Sequence, residues 1–291
     1  MEEENKTEEK ILENVVVESS VSQTAFVSVK EASNMDSISL LFKKSWDLFE
    51  KRFWKLVGVS IVPLILIFLV SMIFAGGMLL SIVSGSLFLM PIFMVLGLLF
   101  IIVAIWAKVA ILFTIKDSEE KIGIKESFKR SKKYIAPYFL VSILVALVSF
   151  GGMIIFIIPG IIVGIMIMFA VFVLVNEDTR GIDALIKSRE YVRGHWWPIF
   201  GRVLLIGLIF FALSIIPLLG ALISILFLTP FMMVYMFIMY KNLKEIKGEV
   251  FIDEAKQNKT KNKLTVFLIL GIIAIPMLII FAGSIPFLLS N

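Results

Sequence analysis

The sequence predicts an all-α fold, a polytopic bundle of membrane-spanning helices. Hydrophobic residues make up 59% of the 291 residues and charged residues only 18%, against about 25% in a typical soluble domain. The stretch from Val57 to Ala107 contains no acidic, basic or histidine residue. Because about 20 apolar residues form a helix that crosses a hydrocarbon core about 30 Å thick, this stretch is long enough for two spans.

Charge divides the chain into four regions. Residues 1–37 carry nine acids and three lysines, so we interpret them as a disordered, acidic cytoplasmic tail. We expect residues 38–240 to form a six-span membrane domain, residues 241–263 a polar cytoplasmic linker, and residues 264–291 a seventh span.

The predicted elements follow in order. From Ile38 to Lys55, apolar residues recur at three- and four-residue steps, which predicts an amphipathic helix in the headgroup region that leads into the first span. The turn of the first hairpin is predicted between Gly76 and Ser86, where Gly76, Gly77, Ser81, Ser84, Gly85 and Ser86 cluster, and Pro159–Gly160 predicts the turn of the second. The six spans are predicted at 55–76, 87–112, 137–157, 160–176, 196–216 and 220–240.

Every Lys and Arg lies on one side of this arrangement. All 28 fall in the tail, in the segment before the first span, or in the segments Lys108 to Lys133, Arg180 to Arg202 and Lys241 to Lys263, and the three hairpin turns have none. The positive-inside rule therefore predicts a cytoplasmic N-terminus. Seven spans in the cell membrane would place the C-terminus outside.

The charged segments resemble one another when they are aligned on a serine. They read Phe42-Lys-Lys-Ser45, Phe128-Lys-Arg-Ser131 and Leu185-Ile-Lys-Ser188. A helical hairpin follows each segment, so we interpret residues 38–240 as three repeats of an amphipathic helix and a transmembrane hairpin.

Two interpretations of the repeated residues stay open. The serines pack against neighbouring helices, or each serine and its basic neighbour bind a lipid phosphate on the anionic cytoplasmic leaflet. The candidate lipid-headgroup contacts are Lys44, Ser45, Arg130, Ser131, Lys187 and Ser188.

Lys108 and Arg202 are candidate intramembrane cations. Each lies within eight residues of a charged segment, so it is close enough to the interface for its side chain to snorkel. The alternative is a functional cationic site.

Catalytic and metal sites are not visible. The chain has no cysteine and a single histidine, His195, which argues against a metal site. No nucleophile–base pair and no phosphate-binding glycine loop is present, so we predict no enzyme and no cofactor. The cations lie beside membrane spans, so we expect no nucleic acid partner.

Several short motifs resemble a known family. These are Ile158-Pro159-Gly160, Glu177, Lys187-Ser188 and Arg193-Gly194-His195-Trp196-Trp197. They resemble a multi-pass membrane domain that occurs alone or fused to bacterial glycerophosphodiester phosphodiesterases. The resemblance covers roughly residues 38–240 and implies lipid-related work, without the hydrolase domain.

Three functions compete. A non-catalytic module that binds lipid or a partner protein agrees best with the basic amphipathic helices and with the lack of a catalytic or metal-binding residue pattern. An oligomeric transporter or permease component is the alternative, favoured by repeats and by prolines inside spans. A membrane enzyme would need residues that the sequence lacks.

Overall fold

A computed structural model describes residues 35–84, 90–117, 123–214, 224–251 and 254–289. The predicted tail therefore lies outside the described residues, apart from its last three. All regular structure within these ranges is helical, with a short 3₁₀ turn before α4 and a π-helical turn before α9. The α-helices are α1 (Ile38–Ser84), α2 (Met90–Lys116), α3 (Ile124–Ser131), α4 (Ile135–Ile155), α5 (Ile157–Ile167), α6 (Ala170–Glu177), α7 (Gly181–Val192), α8 (Trp196–Ser214), α9 (Thr229–Lys247) and α10 (Glu254–Leu289).

Five helical segments are long and apolar enough to cross a membrane. A sixth is present if α7 and α8, which are bent by 99° relative to each other, form one span. The predicted all-helical membrane fold is therefore confirmed. The count of seven spans and the threefold repeat stay predictions.

The first predicted amphipathic helix and the first span are one helix. α1 is continuous over 47 residues, roughly 70 Å at the usual helical rise. The helix passes without a break through Lys55, where the two elements were expected to meet, and through Gly58 three residues later. Gly76, Gly77, Ser81 and Ser84, which were expected in the turn of the first hairpin, lie instead within α1, which continues to Ser84. The other two residues of that predicted turn, Gly85 and Ser86, lie outside the described residues.

Only the third charged segment makes a sharp angle with the span that follows it. α7 ends at Val192, and Gly194 adopts a φ of 85° before α8 begins. This left-handed conformation is readily accessible to glycine. Counted from the repeated serine, the first two segments carry Lys51 and Pro137 at this position, so they lack that freedom.

The second hairpin turns at Phe156 instead of at Pro159–Gly160. Phe156 is extended, with φ −162° and ψ 152°, and α5 begins at the next residue. Pro159 and Gly160 lie in the first turn of α5, where proline is tolerated because its missing N–H would have no helical partner. A Cβ atom at Gly152 would lie 2.9 Å from the Gly160 Cα, so the two glycines allow the helices to approach closely.

α10 packs along α4 at a crossing between two glycines. A Cβ atom built at Gly151 would overlap the Phe267 carbonyl group, and one built at Gly271 would overlap the Leu147 carbonyl group. Such close backbone approach is typical of small residues at membrane helix interfaces. The C-terminal helix is therefore an integral part of the bundle.

The predicted polar linker is mostly helical. α9 extends to Lys247 and α10 begins at Glu254. The first turn of α10 contacts α7 through Lys256, which lies 3.0 Å from Glu190, and through Gln257, which donates to Asp183 at 2.8 Å.

The hydrophobic core lies near the ends of α2, α6 and α9. Most side chains in 107–115, 169–175 and 231–243 are buried there. By contrast, most side chains in 72–83 and 153–158 are exposed. Apolar surface of this extent marks contact with lipid or with another protein.

Candidate functional site

Polar side chains meet at one end of the bundle, where α2, α6 and α9 finish and α1, α7 and α10 begin. Lys116 of α2 donates a hydrogen bond to the Val175 carbonyl of α6 at 2.7 Å. The backbone N–H of Asp36, just before α1, donates to Asn242 of α9 at 3.1 Å. We call this region the polar end.

The three repeated serines are buried at the polar end. Ser45 donates to the Leu41 carbonyl at 2.6 Å, and Ser131 accepts from the Trp106 indole N–H at 3.0 Å. Because hydroxyls that are buried and already bonded inside the protein are inaccessible to a headgroup, the geometry supports the packing interpretation.

Ser188 fills the break between α5 and α6. Its hydroxyl donates to the Met166 carbonyl at 3.0 Å and accepts from the Phe169 backbone N–H at 3.1 Å. Backbone groups at helix ends otherwise lack partners, and such groups are costly to leave unbonded in a membrane. Ser188 therefore stabilises a discontinuous span.

Each of the three repeated cations forms an ion pair with an acid that precedes it in the chain. Two of these acids lie at the end of the preceding span. Aligning the three charged segments on their serines does not align these acids, because the separation in sequence between acid and cation differs: 8, 13 and 10 residues. The acids offset positive charge that headgroup binding would use. The pairs are Lys44–Asp36 at 2.5 Å, Arg130–Asp117 at 2.9 Å and Lys187–Glu177 at 3.0 Å.

Glu177 joins three helices. Its side chain is only 4% exposed and accepts hydrogen bonds from the Tyr240 hydroxyl at 2.6 Å and the Tyr191 hydroxyl at 2.8 Å. Lys244 lies 3.2 Å from the same oxygen. A buried carboxylate needs this density of partners, so Glu177 links α6 to α7 and α9.

The two candidate intramembrane cations differ in surroundings. Lys108 is exposed on α2, which agrees with snorkelling. Arg202 is 9% exposed and donates to the Pro198 carbonyl at 2.9 Å and the Asp36 carbonyl at 2.6 Å. Arg202 therefore ties α8 to the residues before α1.

A basic cavity of about 710 Å³ opens at the polar end between α2 and α3. Arg130, one of the repeated cations, lines it and also lies 3.3 Å from Glu126. Lys129, Lys132 and Lys133 are exposed there. Among the described residues that line it, cations outnumber acids by five to two: Phe113, Lys116, Asp117, Glu126, Lys129, Arg130, Lys132, Lys133 and Tyr134.

The part of the chain that the structure describes contains no group of three or more His, Cys, Asp or Glu side chains able to hold a metal ion. At the polar end, Asp36, Asp117 and Glu177 are partners of Lys44, Arg130 and Lys187.

The chain matches no protein-family profile, no curated protein and no solved structure. The similarity of its motifs to the membrane domain of glycerophosphodiester phosphodiesterases stays a prediction.

Proposed function

We propose that this chain is a non-catalytic, multi-pass protein of the cell membrane that binds anionic lipid headgroups at the basic cavity. The observation that carries the proposal is the excess of cations around a cavity of about 710 Å³. Each basic residue near an anionic membrane surface contributes about 1 kcal/mol of attraction. The proposal moves the headgroup contact away from the buried serines and retains Arg130.

A matched pair of triple variants tests this function. Lys129→Gln, Lys132→Gln and Lys133→Gln together should weaken the binding of anionic lipid in nanodiscs by up to about a hundredfold, because three contributions add to about 3 kcal/mol. The control changes three exposed lysines of α10 to Gln: Lys259, Lys261 and Lys263. Equal loss in both variants would refute the cavity as the binding site.

The proposed topology has seven spans, a cytoplasmic N-terminus and an external C-terminus. One-sided placement of every Lys and Arg supports it. A reporter fused after Lys247 should be cytoplasmic, and one fused after Asn291 should be external. An external signal after Lys247 would contradict the three-hairpin arrangement.

The threefold repeat is also proposed. Its support is that a buried serine follows a cation paired with an earlier acid in each of the three segments.

The transporter alternative draws on the break between α5 and α6, since discontinuous helices form the ion sites of many transporters. Ser188 already bonds two backbone groups at this break, the Met166 carbonyl and the Phe169 N–H, so a structural role accounts for these two groups. A protein partner or homo-oligomer would use the exposed apolar surface. Native membrane extracts in which the chain retains a stoichiometric protein but no enriched lipid would favour that reading.

A further inference from the structure

We infer that the acidic N-terminal segment, residues 1–34, docks on the basic cavity and competes there with anionic headgroups. The docking is inferred from the charge of the segment and from the position of the cavity. The competition with headgroups rests in addition on the proposed function. The segment contains eight glutamates and three lysines. The described residues that line the cavity have the opposite excess, with five cations and two acids.

The start of the described chain is held at the polar end. Asp36 is bonded through its backbone to Asn242 and Arg202, and through its carboxylate to Lys44. The described chain therefore begins at the same end of the bundle as the cavity.

The cavity is within reach of this segment. Arg52 of α1 donates to the Asp117 carbonyl at 3.2 Å, and Asp117 lines the cavity. The rise of α1 from Ile38 to Arg52 is roughly 20 Å. A chain of 34 residues spans up to roughly 110 Å when extended, so length does not limit the contact.

Asp36 illustrates the mode of interaction. It is the last acid of the acidic region, and it already pairs with the repeated cation Lys44 at 2.5 Å. Glutamates further towards the N-terminus would pair in the same way with Lys129, Lys132 and Lys133. The described residues include no ion pair for these three lysines. Occupancy by the segment would then mask the cavity from lipid until anionic lipid displaced it.

Zero-length carbodiimide crosslinking tests the docking directly. The reagent joins a carboxylate to an amine in contact, and mass spectrometry locates the bond. The full chain in nanodiscs of neutral phosphatidylcholine should give bonds from the glutamates of 1–34 to Lys129, Lys132 and Lys133 at low salt. At 1 M salt the Debye length falls to about 3 Å, and the bonds should disappear. Equal bonding to Lys259, Lys261 and Lys263 would overturn the inference.

Charge variants of the segment test the competition. Changing its eight glutamates to Gln should strengthen binding of nanodiscs that contain phosphatidylglycerol at low salt. The gain should be about tenfold if the tethered segment, at a millimolar effective concentration, occupies the cavity about nine-tenths of the time. Changing Lys6, Lys10 and Lys30 to Gln should weaken that binding. Unchanged affinity in a chain that does bind phosphatidylglycerol would overturn the competition. Specific crosslinks in a chain that binds no anionic lipid would support the docking and refute the proposed lipid function alone.

Discussion

Tyr240→Phe tests the role of Glu177 as the point where α6, α7 and α9 join. The change removes one hydroxyl, whose oxygen lies 2.6 Å from the Glu177 carboxylate, and leaves the ring in place. A hydrogen bond to a charged group contributes about 1.5–3 kcal/mol. The carboxylate is 4% exposed, so water replaces the lost donor poorly. Tyr191, Lys187 and Lys244 remain, so the loss stays below the 3–5 kcal/mol typical of a broken buried ion pair.

We therefore expect Tyr240→Phe to lower the free energy of unfolding by about 2 kcal/mol. In a chain of this size that corresponds to a fall of about 5 °C in the midpoint of thermal unfolding, measurable in detergent micelles. Tyr235→Phe is the matched control, because Tyr235 is a buried tyrosine of the same helix. The described residues offer its hydroxyl no hydrogen bond, so its removal should change stability by less than about 0.5 kcal/mol. Equal midpoints for the two variants would refute the assigned role of Glu177.

Three further predictions concern the packing of α4 on α10, the break between α5 and α6, and catalysis. Gly151→Ala should destabilise the bundle by about 1–3 kcal/mol through overpacking against α10. Gly207→Ala should stabilise it by up to about 1 kcal/mol, because a Cβ atom at Gly207 would meet nothing within 4 Å. The midpoints of thermal unfolding of the two variants test this difference. Ser188→Ala should cost about 1–3 kcal/mol because two backbone groups lose their partner, and Ser45→Ala should cost less because the Leu41 carbonyl keeps its helical bond. The purified protein should not hydrolyse glycerophosphodiesters, and metal-dependent turnover that survives purification would contradict this.

The class of fold was predictable because hydropathy alone requires it. Long uncharged stretches can be buried in a bilayer only as helices or closed barrels, and their length matches helices. The bounds of the spans were less predictable, since helices continue past the bilayer wherever no breaker intervenes. α1 shows this, because Gly76 weakens a helix without ending it.

The partners within the site were not predictable from spacing. The acid that pairs with Arg130 precedes it by 13 residues, and the acid that pairs with Lys44 precedes it by 8. Because the spacing is not constant, these pairs cannot be predicted from the sequence pattern. The crossing of Gly151 and Gly271 joins helices that are distant in sequence. From the sequence, a cation near a membrane boundary indicates only the topology. The structure is needed to distinguish a cation that is paired with an acid inside the protein from a cation that faces a cavity.

Photocrosslinking with an anionic lipid tests the central claim most directly. Phosphatidylglycerol with a photoreactive group at its headgroup should label residues of α3 and the 3₁₀ turn that line the basic cavity, with Lys129 and Lys132 among the sites. Labelling should fall when unmodified phosphatidylglycerol competes, and phosphatidylcholine should compete poorly. Labels spread evenly along the lysines of α10 and α3 would contradict the account.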